Sequence, residues 1–341
     1  MTQDFKVALL GFGNVGQALA RILLEKDAGV RAKYGRGITV TAIATNSKGT
    51  LYNPDGLDLK AALCDIGQLG RFSDDHPGRI DLPALDVART AEFDALIEMT
   101  TLNIKTGLPA TEHIRAALER GKHAVTANKG PIAWHYKELR NLAAAAGVRF
   151  YFESTVMDGT PLFNLVEETL KFCEITEVSG ILNSTTNFIL EKLEEGLSYD
   201  EAIAEGRKLG IVEADPSMDI DGHDPTAKLI AMANVLMDAD LTPDRVQRTG
   251  IGNISLEQIS DAKKRGNTLK LVCRASKSGE ATVRPEEVPA RSLFAAVSGT
   301  SAVYSIQTDY MGRLTVIEHD AMPLQTGYGV FGDILRILEK S

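Results

Sequence analysis

The sequence predicts a two-domain protein with an α/β first half and an α+β second half. Up to about residue 150, short apolar segments alternate with helical segments, which indicates a parallel sheet with crossover helices. Beyond that point the regular alternation stops: several helices follow one another, and most of the strand-like segments come after them. The length of 341 residues fits two domains. We place the first domain at residues 1–150, rejoined by a C-terminal helix at about 326–341, and the second at 151–325.

The composition excludes several classes of protein. The 37 basic and 46 acidic residues leave a net charge of −9, whereas a nucleic-acid binder needs a basic face. No apolar run approaches the roughly 18 residues of a membrane-spanning helix, and no basic segment of a signal peptide opens the chain. The cysteines, Cys64, Cys173 and Cys273, are odd in number and widely spaced. We therefore expect a reduced, cytoplasmic protein with no membrane or nucleic-acid partner and with its cysteines packed in the core.

The elements of the first half are predicted from apolar runs and from the residues that end them. Gly121 and Gly147 follow helical segments and are typical stop signals. The short apolar runs are typical of buried strands. The predicted strands cover residues 5–10, 38–44, 95–99, 123–126 and 148–152, and the predicted helices follow residue 16 and cover 111–120 and 138–146.

The second half is predicted to combine helices with a sheet that is apolar on one face. In the late strands, Val303, Ser305 and Gln307 alternate with Tyr304 and Ile306, which indicates one face packed on helices. Helices are predicted at residues 162–172, then up to about 237, and at 328–338, and strands at 175–182, 268–275, 303–308 and 313–318.

A glycine-rich turn joins the first strand to the first helix. It reads Gly11-Phe12-Gly13-Asn14-Val15-Gly16, a G-x-G-x-x-G pattern in the strand–turn–helix context that dinucleotide binding requires. Gly11 permits the tight turn, Gly13 lets a pyrophosphate approach the backbone, and Gly16 allows close helix–strand packing. The helix N-terminus supplies unpaired N–H groups for the phosphates. A Rossmann-type dinucleotide-binding domain is therefore predicted, with a tight turn that binds nothing as the alternative.

The end of the second predicted strand bears on which dinucleotide is bound. A carboxylate there would bind the ribose 2′-hydroxyl of NAD and repel the 2′-phosphate of NADP. The chain has Thr45-Asn46-Ser47-Lys48 instead, three hydrogen-bond donors and one cation. This favours NADP, and both the use of NAD and a plain turn stay open.

The densest group of ionisable residues lies between residues 208 and 229. Five carboxylates, interrupted by prolines and a glycine, precede Lys228. Asp224 followed by Pro225 is typical of a helix N-cap, with Lys228 in the first turn. A lysine near the positive end of a helix has a lowered pKa, which suits proton transfer, while the carboxylates oppose that shift. An acidic calcium loop is the alternative, but Asp219-Ile220-Asp221-Gly222 lacks the closing ligands of that pattern.

Four segments together resemble the homoserine dehydrogenase family. The segment from Gly210 to Leu229 resembles the family signature, and Ile181 to Leu190 resembles its N-G-T-T-N-[FY]-I-L block. Thr126 to Lys129 resembles its T-x-N-K block, and Gly11 to Gly16 its nucleotide turn. The resemblance implies an enzyme that interconverts L-aspartate 4-semialdehyde and L-homoserine with NAD(P)H, in the short form without a C-terminal regulatory domain.

The resemblance also implies roles for particular residues. Lys228 would donate and accept the proton with Asp224 beside it, and Lys129 would contact both nicotinamide and substrate. Substrate-binding residues would be Glu213, Asp219, Thr185 and Lys129. Coenzyme contacts would come from Gly11, Phe12, Gly13, Asn14, Val15, Gly16, Thr100, Lys129 and Gly210. A monovalent cation such as sodium would bind near Glu153, Val156, Asp158 and Thr160, and the sheet of the second domain would form a homodimer.

The chain departs from the family pattern at several positions. Ser184 replaces a glycine of the N-G-T-T-N block, Ile211 replaces an aromatic residue of the signature, and Met157-Asp158 changes the cation loop. Two alternatives therefore stay open. One is a related NAD(P)-dependent amino-acid or semialdehyde dehydrogenase with another substrate, and the other is a non-catalytic nucleotide-sensing regulator.

Overall fold

The structure is a computed structural model that describes residues 3–340, and these residues form two compact units. The first unit runs up to Leu162 and resumes at Met322, and the second is Phe163–Ala321. The segment 151–162, which the sequence assigned to the second domain, thus belongs to the first compact unit. The division of labour between a coenzyme-binding and a catalytic domain stays a prediction.

The helices and strands are as follows. The strands are β1 Phe5–Leu10, β2 Ile38–Thr45, β3 Gly49–Tyr52, β4 Arg79–Ile80, β5 Ala95–Glu98, β6 His123–Thr126, β7 Phe150–Tyr151, β8 Ile175–Ile181, β9 Gln247–Arg248, β10 Asn267–Ser276, β11 Ala281–Pro289, β12 Ala302–Thr308 and β13 Arg313–Glu318. The helices are α1 Asn14–Tyr34, α2 Leu59–Leu69, α3 Ala84–Thr90, α4 Ala110–Glu119, α5 Lys129–Ala146, α6 Phe163–Thr169, α7 Ser184–Glu194, α8 Tyr199–Lys208, α9 Ser217–Ile220, α10 His223–Met237, α11 Leu256–Lys264 and α12 Pro323–Glu339, with 3₁₀ turns at Glu153–Thr155 and Pro243–Arg245.

The first unit is built on a seven-stranded sheet in the order β4-β3-β2-β1-β5-β6-β7. Strands β2, β1, β5, β6 and β7 are parallel, and β3 and β4 extend the sheet antiparallel at one edge. Central strand β1 is apolar at nearly every position because helices cover both faces of a parallel sheet. The β1 residues Val7 and Leu9 pack with α1, α2 and α12, and Ala8 and Leu10 pack with α3 and α4.

The C-terminal helix α12 belongs to the first unit. Its residues Val330 and Ile334 lie in the same buried cluster as Leu19 of α1. At Gly327 a Cβ atom would come within 2.9 Å of the Cβ of Ala18. A residue without a side chain is therefore needed where α12 approaches α1.

The second unit contains a six-stranded sheet in the order β13-β12-β8-β10-β11-β9. All its pairs are antiparallel except β11 with β9. One face packs on α10, where the thiol of Cys273 lies 3.9 Å from the carbonyl of Pro225. On the opposite face Val272 and Val303 cluster with Val297 of the loop before β12.

The structure confirms most of the predicted elements and corrects some of them. β1, β6 and β13 have the predicted bounds, whereas α5 begins at Lys129 and not at residue 138. Several observed elements were not predicted from the sequence: β3, β4, β9, β11, α2, α3 and α11. Among residues 3–340, none of the helices is both long and apolar enough to cross a bilayer.

Candidate active site

The glycine turn of the first unit has the geometry that its three glycines suggested. Gly11 has φ of +98°, and a Cβ there would lie 2.2 Å from the carbonyl oxygen of Met99. A Cβ on Gly16 would lie 2.6 Å from the carbonyl oxygen of Gly11. Gly13 caps α1 and has open space where a Cβ would be. The turn therefore presents the N-terminus of α1, with no acidic residue in its first turn, to an anion.

One cationic side chain contacts this turn, and a second contacts the backbone of the first. The ammonium of Lys48, in the turn between β2 and β3, donates to the carbonyl of Phe12 at 2.9 Å. The guanidinium of Arg79, on β4, donates to the carbonyl of Lys48 at 3.2 Å. Arg79 was missed in the sequence because only the pairing of β3 with β4 brings it here. The residues after β2 therefore offer positive charge where an NAD-specific site would have a carboxylate.

A polar network lies at the carboxyl ends of β5 and β6. Glu98 is fully buried and accepts from both the backbone N–H, at 3.1 Å, and the hydroxyl of Thr100. The side chain of Asn128 donates to the carbonyl of Thr100 at 3.2 Å and caps α5, which begins at Lys129. His113 lies 3.5 Å from Glu98. The network fixes Thr100 and the start of α5. Neither the roles of Glu98 and His113 nor the capping by Asn128 could be predicted from the sequence.

The predicted cation loop, residues 153–161, is held by helix α12. Glu153 is buried, accepts from the backbone N–H of Leu162, and donates its own N–H to Asp333 of α12 at 2.8 Å. Asp158 has φ of +47° and accepts from the hydroxyl of Thr326 at 2.6 Å. The C-terminal helix therefore holds the backbone of Glu153 and the carboxylate of Asp158. Val156 is buried, and the N–H of Thr160 donates to the carbonyl of Met157 at 2.8 Å.

In the second unit, Lys228 lies among the acidic residues that the sequence grouped with it. Its ammonium donates to the carbonyl of Leu182 at 2.8 Å and lies 3.4 Å from a carboxylate oxygen of Asp224. The prediction that Asp224 caps the helix was wrong. α10 begins at His223 because Gly222, with φ of +79°, serves as its N-cap, so Lys228 is in the second turn. The helix dipole therefore acts on Asp224 more strongly than on Lys228.

Asp219 completes the cluster. The side-chain amide of Asn183 donates to Asp219 at 2.6 Å and to Asp224 at 3.0 Å. The pKa of Asp219 is raised above its ordinary value by burial and by the neighbouring charge of Asp224, against the opposing effects of Asn183 and Lys228. Two carboxylates and one ammonium therefore share a small, partly buried region.

The remaining predicted residues of the second unit lie around the segment that leads from α8 to α9. The hydroxyl of Thr185 donates to the carbonyl of Ile211 at 3.3 Å. Gly210 has φ of +74° and follows the end of α8. Glu213 is exposed, and its carbonyl accepts from Arg207 at 3.4 Å. Thr185 lies close enough to Asp219 to oppose the rise in the pKa of that carboxyl, whereas Glu213 is exposed.

The cysteines have no catalytic setting. Burial raises the pKa of the Cys273 thiol to about 12, so it is protonated at neutral pH. Cys173 is half-buried and Cys64 is exposed, so the expectation that all three pack in the core was wrong for Cys64. Within the described part of the chain, no group of three or more His, Cys, Asp and Glu side chains could hold a metal ion.

Comparisons with known proteins agree with this arrangement. Residues 11–153 match the model of the homoserine dehydrogenase NAD-binding domain, and residues 161–335 match that of homoserine dehydrogenase. The chain is 37% identical over 332 residues to the homoserine dehydrogenase of Methanocaldococcus jannaschii, which covers 97% of this chain and 98% of that protein. It is 35% identical over 338 residues to the NAD(+)-dependent homoserine dehydrogenase of Pseudomonas canavaninivorans, with 98% and 96% covered.

A solved structure gives the same result for the fold. A hyperthermophilic archaeal homoserine dehydrogenase in complex with NADPH superposes with a TM-score of 0.86 at 29% identity, covering 100% of this chain and 99% of that chain. The two family models together span most of the sequence, including the glycine turn and the Lys228 cluster. This chain therefore belongs to the homoserine dehydrogenase family of NAD(P)-dependent oxidoreductases.

Proposed function

We propose that this protein is a homoserine dehydrogenase that interconverts L-aspartate 4-semialdehyde and L-homoserine, a step towards threonine, methionine and isoleucine. The observation that carries the proposal is the cluster of Lys228, Asp224 and Asp219 on residues that match the family signature. The acids of this cluster suit the binding of an amino-acid substrate, and its ammonium suits the transfer of a proton.

The proposed chemistry needs no covalent intermediate. Bound NAD(P)H would supply the hydride for the aldehyde carbon. The Lys228 ammonium would give a proton to the carbonyl oxygen, so that the product is the hydroxyl of homoserine. In the reverse direction neutral Lys228 accepts that proton. Asp224, 3.4 Å away, stabilises the charged lysine between turnovers. Glu213, Asp219 and Thr185 would hold the substrate, and Lys129 and Thr100 would contact the nicotinamide side.

For the coenzyme we propose a preference for NADP(H). Lys48 and Arg79 support it, because a 2′-phosphate gains from paired cations that a 2′-hydroxyl does not need. Among the relatives, one is named as NAD(+)-dependent and one was solved with NADPH, so the family accommodates both. The preference for one coenzyme over the other therefore depends on local residues and not on the fold.

We also propose a monovalent cation in the loop that contains Glu153, Val156, Asp158 and Thr160. Hard cations prefer oxygen ligands, and this loop offers two carboxylates beside its carbonyl groups. Bound there, the ion would rigidify the loop. The loop is already tied to α12 through Asp333 and Thr326, which supports a structural role for the ion over a chemical one.

A homodimer is the proposed assembly. On the sheet face opposite α10, alternating positions of neighbouring strands carry both signs of charge: Arg313, Glu177, Arg274 and Glu286 form a chain of ion pairs of 3.2–3.7 Å. Such a mixed-charge face can pair with a second copy related by two-fold symmetry. Light scattering at micromolar concentration should give twice the chain mass of 36.8 kDa, and a monomeric mass would contradict this.

The three cysteines are unpaired, which supports a reducing, cytoplasmic setting.

The experiment that tests the function is a steady-state assay of the purified protein with L-homoserine and each coenzyme, in sodium and in potassium buffers. We expect homoserine-dependent formation of NADPH at a higher kcat/KM than that for NADH. Absence of turnover from a protein that binds NADPH would contradict the proposal.

A related dehydrogenase is the second candidate, and the departures at Ser184 and Ile211 are the observation that favours it. Thr185, next to Ser184, donates to the carbonyl of Ile211, so both departures lie at one end of the proposed substrate site. Assays of other amino-acid alcohols, and of phosphate-dependent oxidation of the semialdehyde, decide between the two. Turnover of one of these at a higher kcat/KM than homoserine would select the second candidate.

A further inference from the structure

We propose that Asn183 is a positioning residue that bridges Asp219 and Asp224 through its side-chain amide and so holds both carboxylates in place beside Lys228. The inference rests on the proposed function of that cluster. Asn183 is 5% exposed and lies between the end of β8 and the start of α7. It is 36 residues before Asp219 and 41 before Asp224, so neither acid could be matched to it by local sequence pattern.

The orientation of the amide is fixed by its other contact. The oxygen of the side chain lies 2.9 Å from the backbone nitrogen of Thr186, and a backbone N–H can only donate. The oxygen must therefore face Thr186, and the NH₂ group must face the two acids. Each of its two hydrogens has one carboxylate to bond, at 2.6 Å to Asp219 and at 3.0 Å to Asp224.

The bridging amide of Asn183 offsets the repulsion between the two carboxylates of the cluster. Asp219 is largely buried and is repelled by Asp224, and burial, together with this repulsion, raises the pKa of Asp219. A neutral donor shared between them favours the ionised form of both without adding a net charge. The preceding residue, Leu182, supplies the carbonyl that accepts from Lys228 at 2.8 Å. One dipeptide therefore contacts all three ionisable groups.

A simpler role for Asn183 is helix capping, and the two roles can be separated. Its oxygen caps α7, and serine or aspartate would cap the helix as well. Neither serine nor aspartate can donate two hydrogen bonds to carboxylates from that position. Asn183→Ser removes the bridge, and Asn183→Asp adds a third negative charge while keeping the cap. Ser255→Ala, which removes the N-cap of α11 elsewhere in the second unit, is the matched control for lost capping.

The test combines kinetics with a titration that needs no turnover. We expect Asn183→Ser to lower kcat on the order of 10²-fold, because small displacements of reacting groups cost about that much. Asn183→Asp should lose more, whereas Ser255→Ala should keep wild-type kcat and KM. NADPH affinity should be unchanged in all three, which also shows that they are folded.

The second measurement follows the Asp219 carboxyl carbon by NMR as the pH is varied, with the signal assigned by its loss in Asp219→Asn. Its pKa should rise further in Asn183→Ser and most in Asn183→Asp, since a bond that favours the ionised form is lost. Wild-type kcat together with an unshifted Asp219 would overturn the bridge. If the wild-type protein has no homoserine turnover, the proposed function fails, and the titration still decides whether Asn183 holds the two acids.

Discussion

The glycine turn of the first unit and the lysine–acid cluster of the second are built in different ways. The turn presents backbone groups, and what matters there is the absence of side chains at Gly11 and Gly16. The cluster depends on functional groups at Asn183, Asp219, Asp224 and Lys228, which come from two separated segments. The glycine turn is therefore disrupted by adding a side chain, whereas the lysine–acid cluster is disrupted by replacing a single functional group.

The largest expected effect is on the side-chain site. Lys228→Ala should lower kcat by about 10²- to 10⁴-fold, the usual contribution of general acid–base catalysis. NADPH affinity should stay near wild type, because the turn at Gly11 is built without Lys228. Stopped-flow or steady-state rates and fluorescence titration of NADPH measure the two quantities.

Arginine is the informative control at this position. Lys228→Arg keeps the positive charge beside Asp224 but cannot accept the proton of homoserine, so it should not restore oxidation. If Lys228 only pairs with Asp224 on the helix, Lys228→Ala would change stability by about 0.2–0.5 kcal/mol with normal turnover. That outcome would move the proton transfer elsewhere, with Lys129 as the next candidate.

The matching change at the backbone site is Gly11→Ala. Its Cβ would lie 2.2 Å from the carbonyl oxygen of Met99, and its φ of +98° is unfavourable for any residue with a side chain. We expect a loss of about 1–3 kcal/mol in unfolding free energy, together with weaker NADPH binding. Gly13→Ala is the control, because a Cβ there meets nothing within 4 Å. It should fold normally and weaken NADPH only, and equal melting temperatures for Gly11→Ala and wild type would contradict the steric argument.

The two sites also differ in how far sequence alone could predict them. The turn is local: the spacing of Gly11, Gly13 and Gly16 and the flanking strand β1 are all visible in one short segment. The cluster was found only in part, because Lys228 and Asp224 share a helix but Asn183 reaches them from another element. Arg79 and Glu98 were missed for the same reason, since long-range pairing leaves no periodic pattern. Short, weakly periodic elements such as β3 and α3 were missed as well.

A smaller effect is expected on coenzyme preference, which tests whether side chains near the glycine turn select NADP(H) over NAD(H). Lys48→Ala removes the cation that contacts the glycine turn, and Arg79→Ala removes the cation that contacts the backbone of Lys48. A hydrogen bond to a charged group contributes about 1.5–3 kcal/mol, so each change should lower the preference for NADP(H) over NAD(H) by at least about tenfold. The ratio of kcat/KM with the two coenzymes is the measurement. An unchanged ratio would show that the 2′-phosphate is not recognised by these residues.

The smallest expected effect is on the free energy of unfolding, and it concerns two aspartates whose pKa values are shifted from the ordinary value in opposite directions. In the first unit Asp4 accepts from Arg31, from the N–H of Gly37 and from Thr39, and chiefly the Arg31 bond lowers its pKa from 3.8 to about 2. In the second unit burial raises the pKa of Asp219. A lowered pKa contributes stability that is present above the unfolded value and is lost as the pH falls towards the folded one, whereas a raised pKa makes the ionised form a cost at neutral pH.

The same Asp→Asn change should therefore have opposite consequences at the two positions. Asp4→Asn should lower the unfolding free energy by about 1 kcal/mol at pH 7, a value discounted for the partial exposure of this ion pair, and leave kcat unchanged. The difference from wild type should shrink as the pH falls below about 4, where the unfolded-state aspartate takes up its proton. Asp219→Asn should preserve or raise stability at pH 7 while lowering turnover, the trade-off expected of a functional carboxylate held where its charge is unfavourable. Urea unfolding at several pH values, with kcat measured on the same samples, tests both predictions. A stability loss in Asp219→Asn as large as that in Asp4→Asn, together with unchanged kcat, would show that both acids serve the fold alone.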